Sequence, residues 1–108
     1  DLDLDAPFVA RRNALRNGVD GCSFWAGLLP SLAAHARFDL VVANMLQEEV
    51  APLLPGLAAI LPPGGTLVTA GQLAAREEEF LARLADAGLR PRRLASEGEW
   101  LGTLSERA

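Results

Sequence analysis

Residues 38–43, Phe-Asp-Leu-Val-Val-Ala, form a nearly continuous apolar run that stops at Asn44. A strand with one wet face alternates apolar and polar residues. An unbroken run instead signals burial on both faces, as inside a parallel sheet. Thr66 to Ala70 reads the same way, with Gly71 expected to close the strand. Between the two, Gln47 to Leu61 has helical character disturbed by Pro52 and Pro55, and Pro62-Pro63-Gly64-Gly65 is a firm stop. Strand, helix, strand in this order constrains the chain to an α/β fold.

The flanking segments extend the pattern. Asp3 or Asp5 is expected to cap a helix running to about Arg16, with Pro7 in its first turn and Asn17-Gly18 ending it. Cys22 to Ala26 reads as a short strand broken by Gly27, and Ser31 as the cap of a short helix through Ala36. Ala74 to Ala87 predicts a helix with Phe80, Leu81 and Leu84 on its apolar stripe and Gly88 as its C-terminal cap. Leu89 to Ala95 and Trp100 to Leu104 predict a closing antiparallel hairpin around Ser96 to Glu99. The expected sheet is therefore mostly parallel, with a closing hairpin.

Composition bounds the chemistry. Of 108 residues, 50% are hydrophobic and 22% charged, a globular balance. A net charge of −4 argues against a nucleic-acid surface, which needs clustered Lys and Arg. The single cysteine, Cys22, cannot form an internal disulfide and is read as a buried small apolar residue, consistent with a cytoplasmic setting. His35 is the sole histidine, read as a surface residue of a short helix, so no metal-ligand spacing exists and no metal is expected. No apolar run is long enough to span a membrane. Trp100 is expected in the core of the hairpin.

Two residues carry the chemistry. Asp1 opens Asp1-Leu2-Asp3, just ahead of a helix. An acidic residue at a strand end in that setting is where nucleotide-binding folds hold ribose hydroxyls, about 20 residues after a Gly-rich turn. That turn would precede residue 1, so the chain is read as the C-terminal part of a larger enzyme. Asn44 stands at the carboxyl end of a buried strand, where open α/β sheets bind ligands.

The element order, with its closing hairpin, resembles the class I S-adenosylmethionine-dependent methyltransferases. Within them the chain resembles the ribosomal protein methyltransferase A family. The likeness rests on Asp1-Leu2-Asp3, Asn13 to Val19, Phe38 to Leu46 and Gly98-Glu99-Trp100, with Leu61 to Gly65 shared more widely across the class. Family members commonly place Pro directly after the Asp-x-Asp, where this chain has Leu4. Their Asn-Ile-Leu-Ala becomes Asn44-Met45-Leu46-Gln47.

The resemblance implies that residues 1–108 are part of a Rossmann-like catalytic domain lacking its first strand, its Gly-rich loop and its substrate-recruiting domain. The cofactor implied is S-adenosylmethionine, leaving as S-adenosylhomocysteine. Asp1 would hold the ribose, Gly27 and Leu28 would border the adenine, and Asn44 would face both the sulfonium and the incoming amine. The implied partner is a large-subunit ribosomal protein methylated on amino groups, by a cytoplasmic monomer that binds neither membrane nor nucleic acid. Glu48 and Glu49 favour the positive end of the helix after Asn44; drawing in a substrate ammonium is their other reading. The missing first strand would lie between those ending at Asp1 and Asn44, leaving Leu40 to Ala43 as an exposed apolar edge and the fragment alone unstable and inactive. Two rival readings stay open: a class I methyltransferase acting on a small-molecule or nucleic-acid amine, and a non-catalytic interaction module.

Overall fold

The computed structural model describes residues 1–32 and 36–108. The chain forms two compact units, Asp1–Ala33 and Ala34–Ala108.

The first unit is built on helix α1, Ala6–Arg16. Its entrance is shaped by Asp3, whose carboxylate accepts the Asp5 N–H at 2.8 Å; Asp5 occupies the cap position without a side-chain hydrogen bond of its own. The exit is a Schellman closure. Val19 N–H reaches Ala14 O at 2.9 Å and Gly18 N–H reaches Leu15 O at 3.2 Å, with Gly18 at φ +63. Residues 22–26 form no strand, because among the described residues the backbone there finds a partner only at Asp1, which donates to Trp25 O and accepts from Gly27. That exchange is the pattern of a parallel bridge. Cys22 is exposed, not buried, since nothing in this unit covers it. Leu29–Ser31 makes a single tight turn of 3-10 helix; the expected helix through Ala36 does not form at Ala36, and His35 lies outside the described residues. No described residue of this unit is buried, and Leu4, Phe8 and Leu15 are each at least 70% exposed.

The second unit is a four-stranded sheet with helices packed on one face. Its elements are β1 (Leu40–Asn44), α2 (Gln47–Val50), α3 (Leu54–Ala59), β2 (Thr66–Leu73), α4 (Glu77–Asp86), β3 (Leu89–Glu97) and β4 (Trp100–Arg107). A 3-10 turn, Ala51–Leu53, joins α2 to α3, since Pro52 and Pro55 each restart the helix instead of continuing it. A second such turn, Ala74–Arg76, leads into α4.

Strand order is β1-β2-β4-β3. The β1–β2 pair is parallel and both pairs made by β4 are antiparallel. It follows that β1, β2 and β3 run one way and β4, inserted between β2 and β3, runs against them. The parallel expectation thus holds for strand direction, while most ladder contacts are antiparallel. The hairpin is longer than its sequence suggests, closing on Gly98-Glu99 alone.

Alternation sorts the side chains of the sheet. Leu67 and Thr69 of β2, and Leu101, Thr103 and Ser105 of β4, are buried with Val50, Leu54, Leu57, Leu61, Phe80 and Leu84 of the helical layer. Thr69 and Thr103, opposite each other, share a buried hydroxyl pair at 2.6 Å. On the other face Leu40 and Val42 are exposed, so β1 is not buried on both faces as its apolar run predicts; it is the edge strand that the class I resemblance implies, with Ala43 buried on the covered face. Trp100 is 47% exposed rather than core, because it opens β4 at the hairpin tip on the face the helices leave uncovered.

Candidate active site

In the first unit the backbone brings Asp1 and Gly27 together. The Asp1 nitrogen donates to Trp25 O at 3.3 Å and the Gly27 N–H donates to Asp1 O at 2.8 Å. Asp1 is exposed, and its Oδ1 accepts the Asp3 N–H at 2.9 Å. A carboxylate offers about four acceptor directions. One internal bond therefore leaves capacity for a diol. A shallow groove beside it is lined by Asp1, Ala6, Pro7, Ser23, Phe24 and Trp25. Gly27 is packed on its own side: a Cβ there would fall 2.7 Å from Ser31 Oγ and 3.1 Å from the Trp25 ring. Its N–H being taken by Asp1, only its carbonyl is left for a ligand. Leu28 is 60% exposed, able to cover an apolar surface.

In the second unit Asn44 ends β1, opposite Ala70 of β2, at the carboxyl end of the parallel pair. It is exposed, and its carboxamide makes no hydrogen bond among the described residues.

The wall behind Asn44 comes from β2, and here the sequence was misread. Gly71 does not close the strand. Thr69 pairs with Thr103 and Gln72 with Leu101, so Ala70 and Gly71 together face Gly102 and form a bulge. Gly71 sits at φ +92, where a side chain is strained. A Cβ on it would stand 2.7 Å from Met45 O and 3.1 Å from Asn44 Oδ1. Gln72 is fully buried; its Nε2 donates to Met45 O at 2.8 Å and to Ala70 O at 2.9 Å. Ala70 O also accepts the Met45 N–H at 3.0 Å. A lone glycine inside a strand pattern, followed by a polar residue, was the available signal for this arrangement.

The glutamates after Asn44 are engaged. Glu49 Oε2 accepts the Leu46 N–H at 3.2 Å and ties down the start of α2. Glu48 pairs with Arg76, which also meets Glu79 at 2.9 Å. The backbone amide at Glu48, and then Arg76, hold the Glu48 carboxyl below the usual range; Arg76 does the same to Glu79. Their contribution to stability is present above the ordinary carboxylate pKa and is lost as pH falls through the lowered values. The melting-temperature gap between the full-length protein and its Arg76→Ala variant should accordingly narrow as pH is lowered through the acidic range. A gap independent of pH would contradict the pairing.

Among the described residues no group of three His, Cys, Asp or Glu is placed to hold a metal, and no helix is long and apolar enough to cross a membrane.

Comparison with known proteins converges on one family. The family model described as ribosomal protein L11 methyltransferase (PrmA) matches residues 1–108. Ribosomal protein L11 methyltransferase of Symbiobacterium thermophilum is 35% identical over 105 residues, covering 97% of this chain and 34% of the relative. That of Thermus thermophilus is 40% identical over 103 residues, covering 93% and 40%. Among solved structures, ribosomal protein L11 methylase from Lactobacillus delbrueckii subsp. bulgaricus superposes with a TM-score of 0.90 at 26% identity, covering 99% of this chain and 55% of that one. The N-methyltransferase NodS from Bradyrhizobium japonicum, solved with S-adenosyl-L-homocysteine, shares the fold alone, at TM-score 0.68 and 16% identity over 94% and 62%. The chain spans about a third of the length of the first two curated relatives. From the match over its whole length, the chain belongs to the ribosomal protein L11 methyltransferase family.

Proposed function

We propose that residues 1–108 are part of the catalytic domain of a cytoplasmic methyltransferase that transfers methyl groups from S-adenosylmethionine to amino groups of ribosomal protein L11. The observation that carries this reading is Asn44, exposed and uncommitted at the carboxyl end of β1, in a chain matched end to end by the family. The uncovered apolar side chains Leu4, Phe8, Leu40 and Val42 support a place within a larger fold.

The residues present fit the cofactor. Asp1 has acceptor capacity left for the two ribose hydroxyls, in charge-assisted hydrogen bonds stronger than neutral ones. Gly27 would bring backbone to the nucleoside end, and the exposed Leu28 would lay its side chain against the base. When bound, S-adenosylmethionine supplies a methyl already activated on a sulfonium. What the chain must add is alignment, which is worth many orders of magnitude in rate when two reactants are held in line. Asn44 would do this by accepting a hydrogen of the substrate amine at Oδ1, turning the nitrogen lone pair toward the methyl.

Replacing Asp1 with Ala in the full-length protein tests the cofactor half of the proposal. Losing charge-assisted hydrogen bonds should weaken S-adenosylhomocysteine binding on the order of 10- to 100-fold in calorimetry. Unchanged affinity would remove Asp1 from the site.

A further inference from the structure

We infer that Gln72 is a positioning residue for methyl transfer: from inside the fold it fixes Met45, the residue after Asn44, and through it the direction in which the Asn44 carboxamide is presented. The inference rests on the role given to Asn44 above.

The bulge makes this possible. Side chains of a regular strand alternate, so Gln72, three residues after buried Thr69, would point to the uncovered face. Placing Ala70 and Gly71 opposite the single residue Gly102 shifts the alternation by one and turns Gln72 into the interior, opposite buried Leu101. There its Nε2 spans two carbonyls, Met45 O at 2.8 Å and Ala70 O at 2.9 Å. One belongs to the residue following Asn44 and the other to the residue opposite it. With the Met45 N–H on Ala70 O at 3.0 Å, the ends of β1 and β2 are tied through both the N–H and the carbonyl of Met45. Gly71 closes the arrangement from the other side, leaving no room for a Cβ against Met45 O and Asn44 Oδ1.

Packing alone does not account for a carboxamide here. Gln72 Oε1 is buried without a hydrogen-bond partner among the described residues, and an unpaired buried acceptor is a cost that an aliphatic side chain would avoid. What an aliphatic residue could not do is donate to Met45 O. Asn44, for its part, has no hydrogen bond among the described residues to hold its own side chain, so its aim depends on the backbone beneath it.

The test is a double-mutant cycle in the full-length protein, with Asn44→Ala, Gln72→Met and both together. A thioether of similar length keeps the volume and removes the donor. With S-adenosylmethionine and ribosomal protein L11 as substrates, Gln72→Met should lower kcat on the order of 10- to 100-fold, with little change in KM for the cofactor. In the Asn44→Ala background it should lower the residual rate no further. An equal loss in both backgrounds, or none in either, would overturn the inference.

A second readout does not need turnover. In protein labelled with 15N-asparagine, the side-chain amide pair of Asn44, assigned by its loss in Asn44→Ala, should shift or broaden in Gln72→Met. An unmoved pair overturns the inference. If the wild-type protein transfers no methyl, the proposed function falls, and the Asn44 resonances alone decide the role of Gln72. Should Gln72→Met fail to fold, Gln72→Asn, too short to span both carbonyls, replaces it in both measurements.

Discussion

Changing Asn44 to Ala in the full-length protein is expected to lower kcat by at least about 100-fold while S-adenosylhomocysteine binds as before. The physical reason is that the exposed carboxamide does nothing for the fold that the structure records. It forms no hydrogen bond among the described residues, and β1 keeps its ladder to β2 through backbone atoms. Truncation should therefore leave stability within about 0.5 kcal/mol, as for other exposed changes. An interaction made only as the amine approaches the methyl lowers kcat and kcat/KM together when it is removed. Steady-state kinetics beside a melting curve distinguish this from local unfolding, which would depress both activity and stability. Turnover unchanged in the variant would remove Asn44 from the chemistry.

Gly71→Ala should have a comparable effect by a different route. At φ +92 an alanine is strained by about 1–2 kcal/mol before any contact is considered. Its Cβ would also stand 2.7 Å from Met45 O. That oxygen is backbone, held by Gln72 at 2.8 Å, and cannot swing aside as a side-chain tip would. The Met45 carbonyl has to move, and the chain beside Asn44 with it. A displacement of about 1 Å at a reacting group costs on the order of 100-fold in rate. The variant should thus show a lowered melting temperature together with a fall in kcat, separating it from Asn44→Ala, which spares stability. Full activity in Gly71→Ala would mean that the bulge does not set the site.

These two expectations show what was legible in the sequence. The apolar runs at 38–43 and 66–70 located β1 and β2, although Leu40 and Val42 leave one face of β1 exposed and not buried as an unbroken run predicts. The Phe80–Leu84 stripe and the hairpin were readable because helical spacing and a turn between two runs are local signals. The bulge was not. A glycine after a strand ordinarily terminates it, and only the pairing of Gln72 with Leu101 and of Leu73 with Trp100 shows that the strand goes on.

Residues 22–26 failed in the opposite sense. Their composition suits a strand, but a strand exists by its ladder, and here it amounts to the bridge at Asp1. Cys22 and Trp100 were assigned to the core from their residue type, while the structure leaves both exposed. Residue type gives a preference for burial; which face the helices cover is decided by topology. Asn44 was located by its strand. The residue beneath it that holds the neighbouring Met45 carbonyl, Gln72, lies 28 positions on from Asn44 and could be found only through the fold.

The most direct test of the central claim is mass spectrometry of ribosomal protein L11 after incubation with the full-length protein and S-adenosylmethionine bearing a deuterated methyl. The expected result is labelled methyl on amino groups of the ribosomal protein with the wild type, and at least about 100-fold slower labelling with Asn44→Ala. Cofactor binding with no label on the ribosomal protein would contradict the account.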